Sequence, residues 1–343
     1  MVLSAGTDVE ARGPERAPAG APILAIDGLS VSFPRFGQQR RTVLRDIALR
    51  VDRGEVVALV GESGSGKTML ARAAMRLVPA PGRIDRGAIA FDGQDLTKLG
   101  EEALRRLRGR DMAMVVSNPR GELDPLRTVG RQIGDVLKHH LGLGERETRA
   151  RTLELLRDVQ IPDPERRYRA FPHELSGGMA QRVVMAIALA CSPKFIISDD
   201  ATSGLDVTVQ AQVLELLRRL ISERGSSMLF ITRDIGIAAH FADRIAVIYA
   251  GQIVEVAGRT AFFDDPAHPY TVLLLAAFSH NAKLRRYWLR EDVAEAGVAG
   301  PPEAGCVFRD RCVRAQPRCA TEPPELRQLG PGHLVRCHFP IER

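Results

Sequence analysis

Long apolar runs are missing from this 343-residue chain. A membrane-spanning helix needs about 20 consecutive apolar residues, and the longest candidates, 183–192 and 272–278, are far shorter. The chain is therefore expected to be soluble. Lysine is scarce, at 5 against 43 arginines, a bias that together with the abundant Ala and Gly reads as a GC-rich bacterial genome. The net charge of +6 is scattered through the chain. It reads as a solvated basic surface, and nucleic acid is not an expected partner. A signal-peptide core is absent too: residues 1–21 are rich in Ala, Gly, Pro and charge. That composition predicts a disordered extension and a cytoplasmic location. Of the five cysteines, four stand within the last forty residues and one at Cys191, which is no disulfide framework for a cytosolic chain.

What is present is the alternation of an α/β protein. Residues 23–33 and 43–51 partly alternate apolar and polar side chains, as antiparallel strands do. Between them Phe33 and Phe36 could stack on a purine, with Phe33 preferred. The β-branched strand 55–60 runs into GESGSGKT at 61–68 and a helix over 69–77. In that context Gly61, Glu62, Ser63, Gly64, Ser65 and Gly66 can turn successive N–H groups toward one anion. Lys67 can reach phosphates, and Thr68 can place its hydroxyl on Mg²⁺. A strand is read over 87–93, a charged helix over 101–108 and a core strand over 111–116. The Pro- and Gly-punctuated loop that follows marks a boundary, and helices over 128–141 and 145–159 look like an insertion into the core. Core patterning resumes with a helix over 179–190, strands over 195–198 and 228–232, and an amphipathic helix over 207–223 between them. A hairpin over 245–256 follows. Such alternation implies a largely parallel sheet with ligands at the strand carboxyl ends, where Gly61, Asp199 and Arg233 sit.

Five ordered motifs carry a resemblance: the loop at 61–68, LSGGMAQR at 175–182, IISDD at 196–200, SGLD at 203–206 and LFITRD at 229–234. In that order and spacing they resemble the ATP-binding subunits of ABC transporters, over residues 22–258. DVTVQ at 206–210, IYAGQIVEVAG at 248–258 and DPAHPYTVLLLAAF at 265–278 are similar to the ATPase subunits of dipeptide, oligopeptide and nickel importers. The resemblance implies a RecA-like P-loop core with an antiparallel β subdomain at 22–118 and 181–258. It further implies a helical subdomain carrying the signature at 119–180, and a Cys-containing extension at 259–343. It implies that 61–68 binds the phosphates of ATP and Mg²⁺, and that Asp199 holds the metal. Ser176, Gly177, Gly178 and Gln181 would cap, and Asp206 would flank, the ATP of a partner in a head-to-tail dimer. Two membrane permease subunits and an extracytoplasmic substrate-binding protein would complete a machine in which this chain sits peripherally on the cytoplasmic face of the bacterial inner membrane. An ABC-type protein of a soluble, non-transport assembly is the alternative.

Three positions depart from the family pattern. Ser117 stands where a Gln contacts Mg²⁺ and water, Asp200 where a Glu is the general base, and Arg233 where a His contacts the γ-phosphate. A base must come within about 2.6–3.2 Å of the water it deprotonates, and losing a methylene retracts the carboxylate by about an ångström or more. Arg233 keeps a charge-assisted grip on phosphate. All three changes fall on this chain's own nucleotide, while the elements donated to a partner are intact. The expectation is an asymmetric pair with a different ATPase subunit, in which this chain's own site is catalytically impaired; a normally active site with benign variation is the alternative.

Cys306, Cys312, Cys319 and Cys337 follow C-x5-C-x6-C-x17-C among Pro-rich segments. Thiolates on so small a segment suit a soft metal or an iron–sulfur cluster, although unliganded thiols fit the loose spacing too. Similar tails in peptide-importer ATPases carry a [4Fe-4S] cluster, so by resemblance that is favoured over Zn²⁺. Cys191, at the end of an apolar helix, reads as core.

Overall fold

The structure, a computed structural model, describes residues 20–35, 37–278 and 304–341. The extension expected over 1–21 lies almost wholly outside these residues, and so does Phe36.

Two sheets organise the described residues. The first is antiparallel: β1 (Leu24–Arg35) lies between β2 (Gln38–Val51) and β4 (Arg83–Phe91), with the two-residue β5 (Gln94–Asp95) at the edge. The second contains β3 (Val56–Val60), β6 (Met112–Val116), β7 (Phe195–Asp199), β8 (Ser227–Ile231) and β9 (Arg244–Tyr249), all parallel in the order β9-β3-β8-β7-β6. Both faces of this sheet are covered, which is why its strands read as continuous apolar runs. On β3, Val57 and Leu59 enter the core under the antiparallel sheet, and Ala58 and Val60 enter the core under the helices, as the two-residue period of a strand requires.

The helices expected from apolar periodicity over 69–77, 101–108, 128–141, 145–159, 179–190 and 207–223 are present, with ends shifted by up to three residues. α1 (Lys67–Ala74) follows β3 and α2 (Glu101–Leu107) precedes β6. α4 (Val129–Leu141) and α5 (Glu145–Asp158) form the inserted pair, flanked by the short α6 (Pro164–Tyr168) and by α3 (Pro119–Glu122), which falls in the stretch expected to be a loop. α7 (Gly177–Leu189) and α8 (Val207–Arg224) bracket β7, and α9 (Ile235–Phe241) follows β8. α4 and α8 stop at Gly142 and Gly225, both in the left-handed conformation that ends helices at glycine. This fold class is the one expected.

The C-terminal extension departs from a simple appendage. β10 (Gln252–Gly258) pairs antiparallel with β9, and the core sheet then continues through β12 (His333–Val335) and β11 (Arg327–Gly330). Strands of four and three residues carry too little period-two pattern to be read in advance. Their attachment rests on a buried carboxylate. Glu255 on β10 is fully buried and accepts hydrogen bonds from the N–H groups of Ala267 and His268 at 2.8 Å each, while His333 Nε2 lies 2.8 Å from it. These bonds hold the Glu255 carboxyl below its usual range against the opposing effect of burial. α10 (Arg259–Asp264) and α11 (Pro269–Phe278) lead out of this junction.

Candidate functional site

The loop from Gly61 to Thr68 leaves the carboxyl end of β3 and enters α1, and its glycines are there for two different reasons. At Gly61 a Cβ would lie 2.2 Å from the Ile248 carbonyl oxygen, so the backbone passes too close for any side chain. Gly64 meets nothing, but its φ of +77° disfavours L side chains. Lys67 is buried and folds back into the loop, donating to the carbonyls of Gly61 (2.7 Å) and Glu62 (2.8 Å) and to Ser65 Oγ (3.5 Å). Burial pushes the Lys67 ammonium below its usual proton affinity, and the charge of Asp200 opposes that shift. Thr68 Oγ1 donates to Asp199 Oδ1 at 3.3 Å, which brings the two expected Mg²⁺ groups together. One carboxylate and one hydroxyl suit Mg²⁺, which takes few protein ligands and fills its sphere with phosphate and water. Asp199 is pushed up by burial and by its neighbour Asp200.

Two of the three departures from the family pattern are bonded to each other. Arg233 lies 3.0 Å from Asp200 Oδ2 through Nη2 and donates to the same oxygen through Nε at 3.2 Å. Its Nη2 also reaches Ser203 Oγ at 3.2 Å. Asp200 itself sits at φ +51°, held by its N–H bond to the Ile231 carbonyl. Ser117, the third departure, is exposed just beyond β6.

Ser176 and Asp206 form a separate face. Each is exposed and caps a helix: Ser176 Oγ accepts from the Met179 N–H of α7 (3.3 Å), and Asp206 Oδ1 from the Val209 N–H of α8 (3.0 Å). The two caps are packed together, since a Cβ on Gly178 would stand 2.7 Å from Val209 and one on Gly177 3.6 Å from Leu205. A capping serine that accepts through oxygen keeps its own proton to donate outward, and the start of a 13-residue helix favours an anion. Gln181 does not share this face: it is buried, and its amide donates inward to the Val116 carbonyl at 3.4 Å. Phe33 is half-buried against Gly82, where an added Cβ would lie 2.5 Å from its ring.

All four tail cysteines line one small cavity of about 10 Å³, together with His268, Phe308 and Phe339. Burial pushes the Cys312 and Cys337 thiols up to about 11, and Cys306 upward too. Among the described residues, no group of three or more His, Cys, Asp or Glu side chains is arranged to hold a metal ion. That lends support to neither the Zn²⁺ nor the iron–sulfur expectation. Cys191 is partly buried at the end of α7.

Residues 44–203 match the family model described as ABC transporter, and 254–319 match the oligopeptide/dipeptide transporter C-terminal region. A dipeptide transport ATP-binding protein of Escherichia coli is 41% identical over 320 residues, covering 93% of this chain and 97% of the relative. The chain belongs to the peptide-importer family of ABC transporter ATP-binding subunits. A Bacillus subtilis oligopeptide transport ATP-binding protein is 46% identical, covering 74% of this chain and 71% of its own length. Among solved structures, the dimeric ATP-binding cassette MJ0796 bound to ADP and Pi superposes with a TM-score of 0.61 at 27% identity, covering 69% of this chain and 98% of that one. These relatives lend no support to a soluble, non-transport assembly. No helix among the described residues is long and apolar enough to cross a membrane.

This ABC transporter subunit has site residues that motif reading missed. The Glu62 N–H donates to the Tyr270 hydroxyl at 3.0 Å, and the Glu62 carboxylate is gripped by Arg311 at 2.9 and 3.0 Å. Tyr270 belongs to the HPY segment, which carried resemblance but no assigned role. Nothing in the sequence around Arg311 signals a contact 249 residues away.

Proposed function

We propose that this chain holds ATP and Mg²⁺ in its own half-site with little turnover, and lends Ser176, Gly177, Gly178 and Asp206 to ATP bound by a second, different ATPase subunit. The observation that carries this is the Asp200–Arg233 ion pair. A carboxylate that is both shortened and engaged by a guanidinium is poorly placed to take a proton from water, while Lys67, Thr68 and Asp199 keep the phosphate and metal grip. Gln181 acts as a brace behind the signature loop rather than as a contact to the partner's nucleotide. Phe33 is the proposed platform for the purine.

In the assembled importer the pair of ATPase subunits works on two permease subunits from the cytoplasmic face of the bacterial inner membrane. An extracytoplasmic binding protein delivers a peptide or related solute. Leu126, 85% exposed in the loop between α3 and α4, is apolar surface suited to permease docking. The four-cysteine pocket is the proposed seat of an iron–sulfur cluster. All four thiols line the same small cavity, and Arg309 and Arg314 at its wall offset thiolate charge. Such a cluster would supply folding energy to the extension. Iron and acid-labile sulfide analysis of anaerobically purified protein tests it, and metal-free protein rejects it.

Single-turnover hydrolysis in the reconstituted importer tests the asymmetry. Asp200→Asn is expected to lower turnover by less than about threefold, whereas loss of the partner's general base removes about 10²-fold or more. Equal losses from the two changes would sink the asymmetric reading.

A further inference from the structure

The glycines at 61, 64 and 66 give the phosphate loop wide conformational freedom, and ordering a free loop opposes ligand binding. Its second residue, however, is held at three points. The Glu62 carbonyl accepts from Lys67, its N–H is bound by Tyr270, and its carboxylate by Arg311. Two of those three partners come from the C-terminal extension. Arg311 is itself aimed by stacking: its guanidinium lies 5.7 Å from the Tyr249 ring centroid and 5.9 Å from that of Phe308. Phe308 packs edge-on against Tyr249 at 5.1 Å and lines the thiol pocket. Arg311 closes the single helical turn 309–311, which ends directly at Cys312 and lies between the two pocket thiols Cys306 and Cys312.

We propose that Arg311 is a positioning residue for the phosphate loop, so that the ATP affinity of this chain depends on whether the four-thiol pocket is intact. Arg311 and Tyr270 pre-order the start of the loop, and the packing of the pocket fixes where the Arg311 fork points. This rests on reading Gly61–Thr68 as the ATP site and is independent of which group, if any, the thiols bind. A bidentate fork between partly exposed partners supplies modest energy, so the effect is one of tuning.

The test is equilibrium binding of MgATP to the full chain by calorimetry. Arg311→Ala is expected to raise Kd about fivefold, and Arg311→Lys, which keeps the charge but loses the fork, to fall between. The exchange Glu62→Arg with Arg311→Glu should recover most of the loss, which a general weakening of the fold would not do. Cys319→Ser should raise Kd in the natural background and add nothing in the Arg311→Ala background. Unchanged Kd in Arg311→Ala, an unrescued exchange variant, or multiplying losses from Cys319→Ser and Arg311→Ala would each overturn the inference while leaving the ATP site standing. No MgATP binding by the natural chain would overturn both.

Discussion

The partner-facing surface and the phosphate loop are positioned by opposite means. Ser176 and Asp206 are held by bonds three residues long, to Met179 and Val209. Glu62 is held by bonds to residues 208 and 249 positions away, and Gly61 by close approach to Ile248. Local bonds make the first surface autonomous, so whatever α7 and α8 bury, their caps will form. The loop, by contrast, takes its shape from β9 against Gly61 and from the extension beside Glu62. The chemistry divides along the same line: polar groups of the local face remain turned outward, whereas on the loop side Lys67, Glu62, Asp200 and Arg233 are already paired with one another or with neighbours.

The largest expected effect breaks the local face alone. Ser176→Arg removes the cap and crowds the start of α7, and should lower ATP hydrolysis by the assembled pair about 10²-fold, as loss of a transition-state donor does. MgATP affinity of this chain should stay unchanged, measured by phosphate release beside calorimetry; a parallel fall in affinity would dissolve the distinction between the two regions.

The next breaks the long-range side. Glu255→Ala leaves the N–H groups of Ala267 and His268 and the His333 ring without their shared acceptor in a fully buried position, at about 2–4 kcal/mol. Chemical denaturation should report that loss. Because the segment carrying Tyr270 is anchored there, MgATP affinity should weaken too, while the caps at Ser176 and Asp206 keep their amide protection in hydrogen exchange.

The smallest effect is a pH dependence. Glu255 raises the proton affinity of His333, so the stability from this pair is full below the unfolded histidine value, about 6.5, and is lost as pH rises through the folded one. The folded Glu255 carboxyl is depressed, so its contribution is present above about 4.5 and lost as pH falls through its folded value. Stability of the natural chain should therefore decline from pH 6 to 8 more than that of His333→Gln in denaturant titrations, and parallel curves would remove His333 from the junction.

Legibility in the sequence follows the same division. The strands and helices of the core, the glycine loop and the order of the motifs were readable because each depends on periodicity or on neighbours a few residues apart. Gln181 was misleading: its place in the signature string suggested a contact outward, but burial against β6 turns its amide to Val116. β11 and β12 were too short to signal, and the pairing of β12 with β10 depends on Glu255, whose partners are scattered over nearly eighty residues.

The sequence by itself determined the family, the two cores, the anion loop and the caps of α7 and α8, because those are set by local backbone geometry and by which residues shun water. Only the tertiary structure decided that Asp200 and Arg233 meet, that the cysteines share one pocket, and that Arg311 reaches Glu62. Those contacts join segments far apart in the chain, and the geometry of a long-range ion pair or a shared cavity is a product of packing that no local pattern encodes.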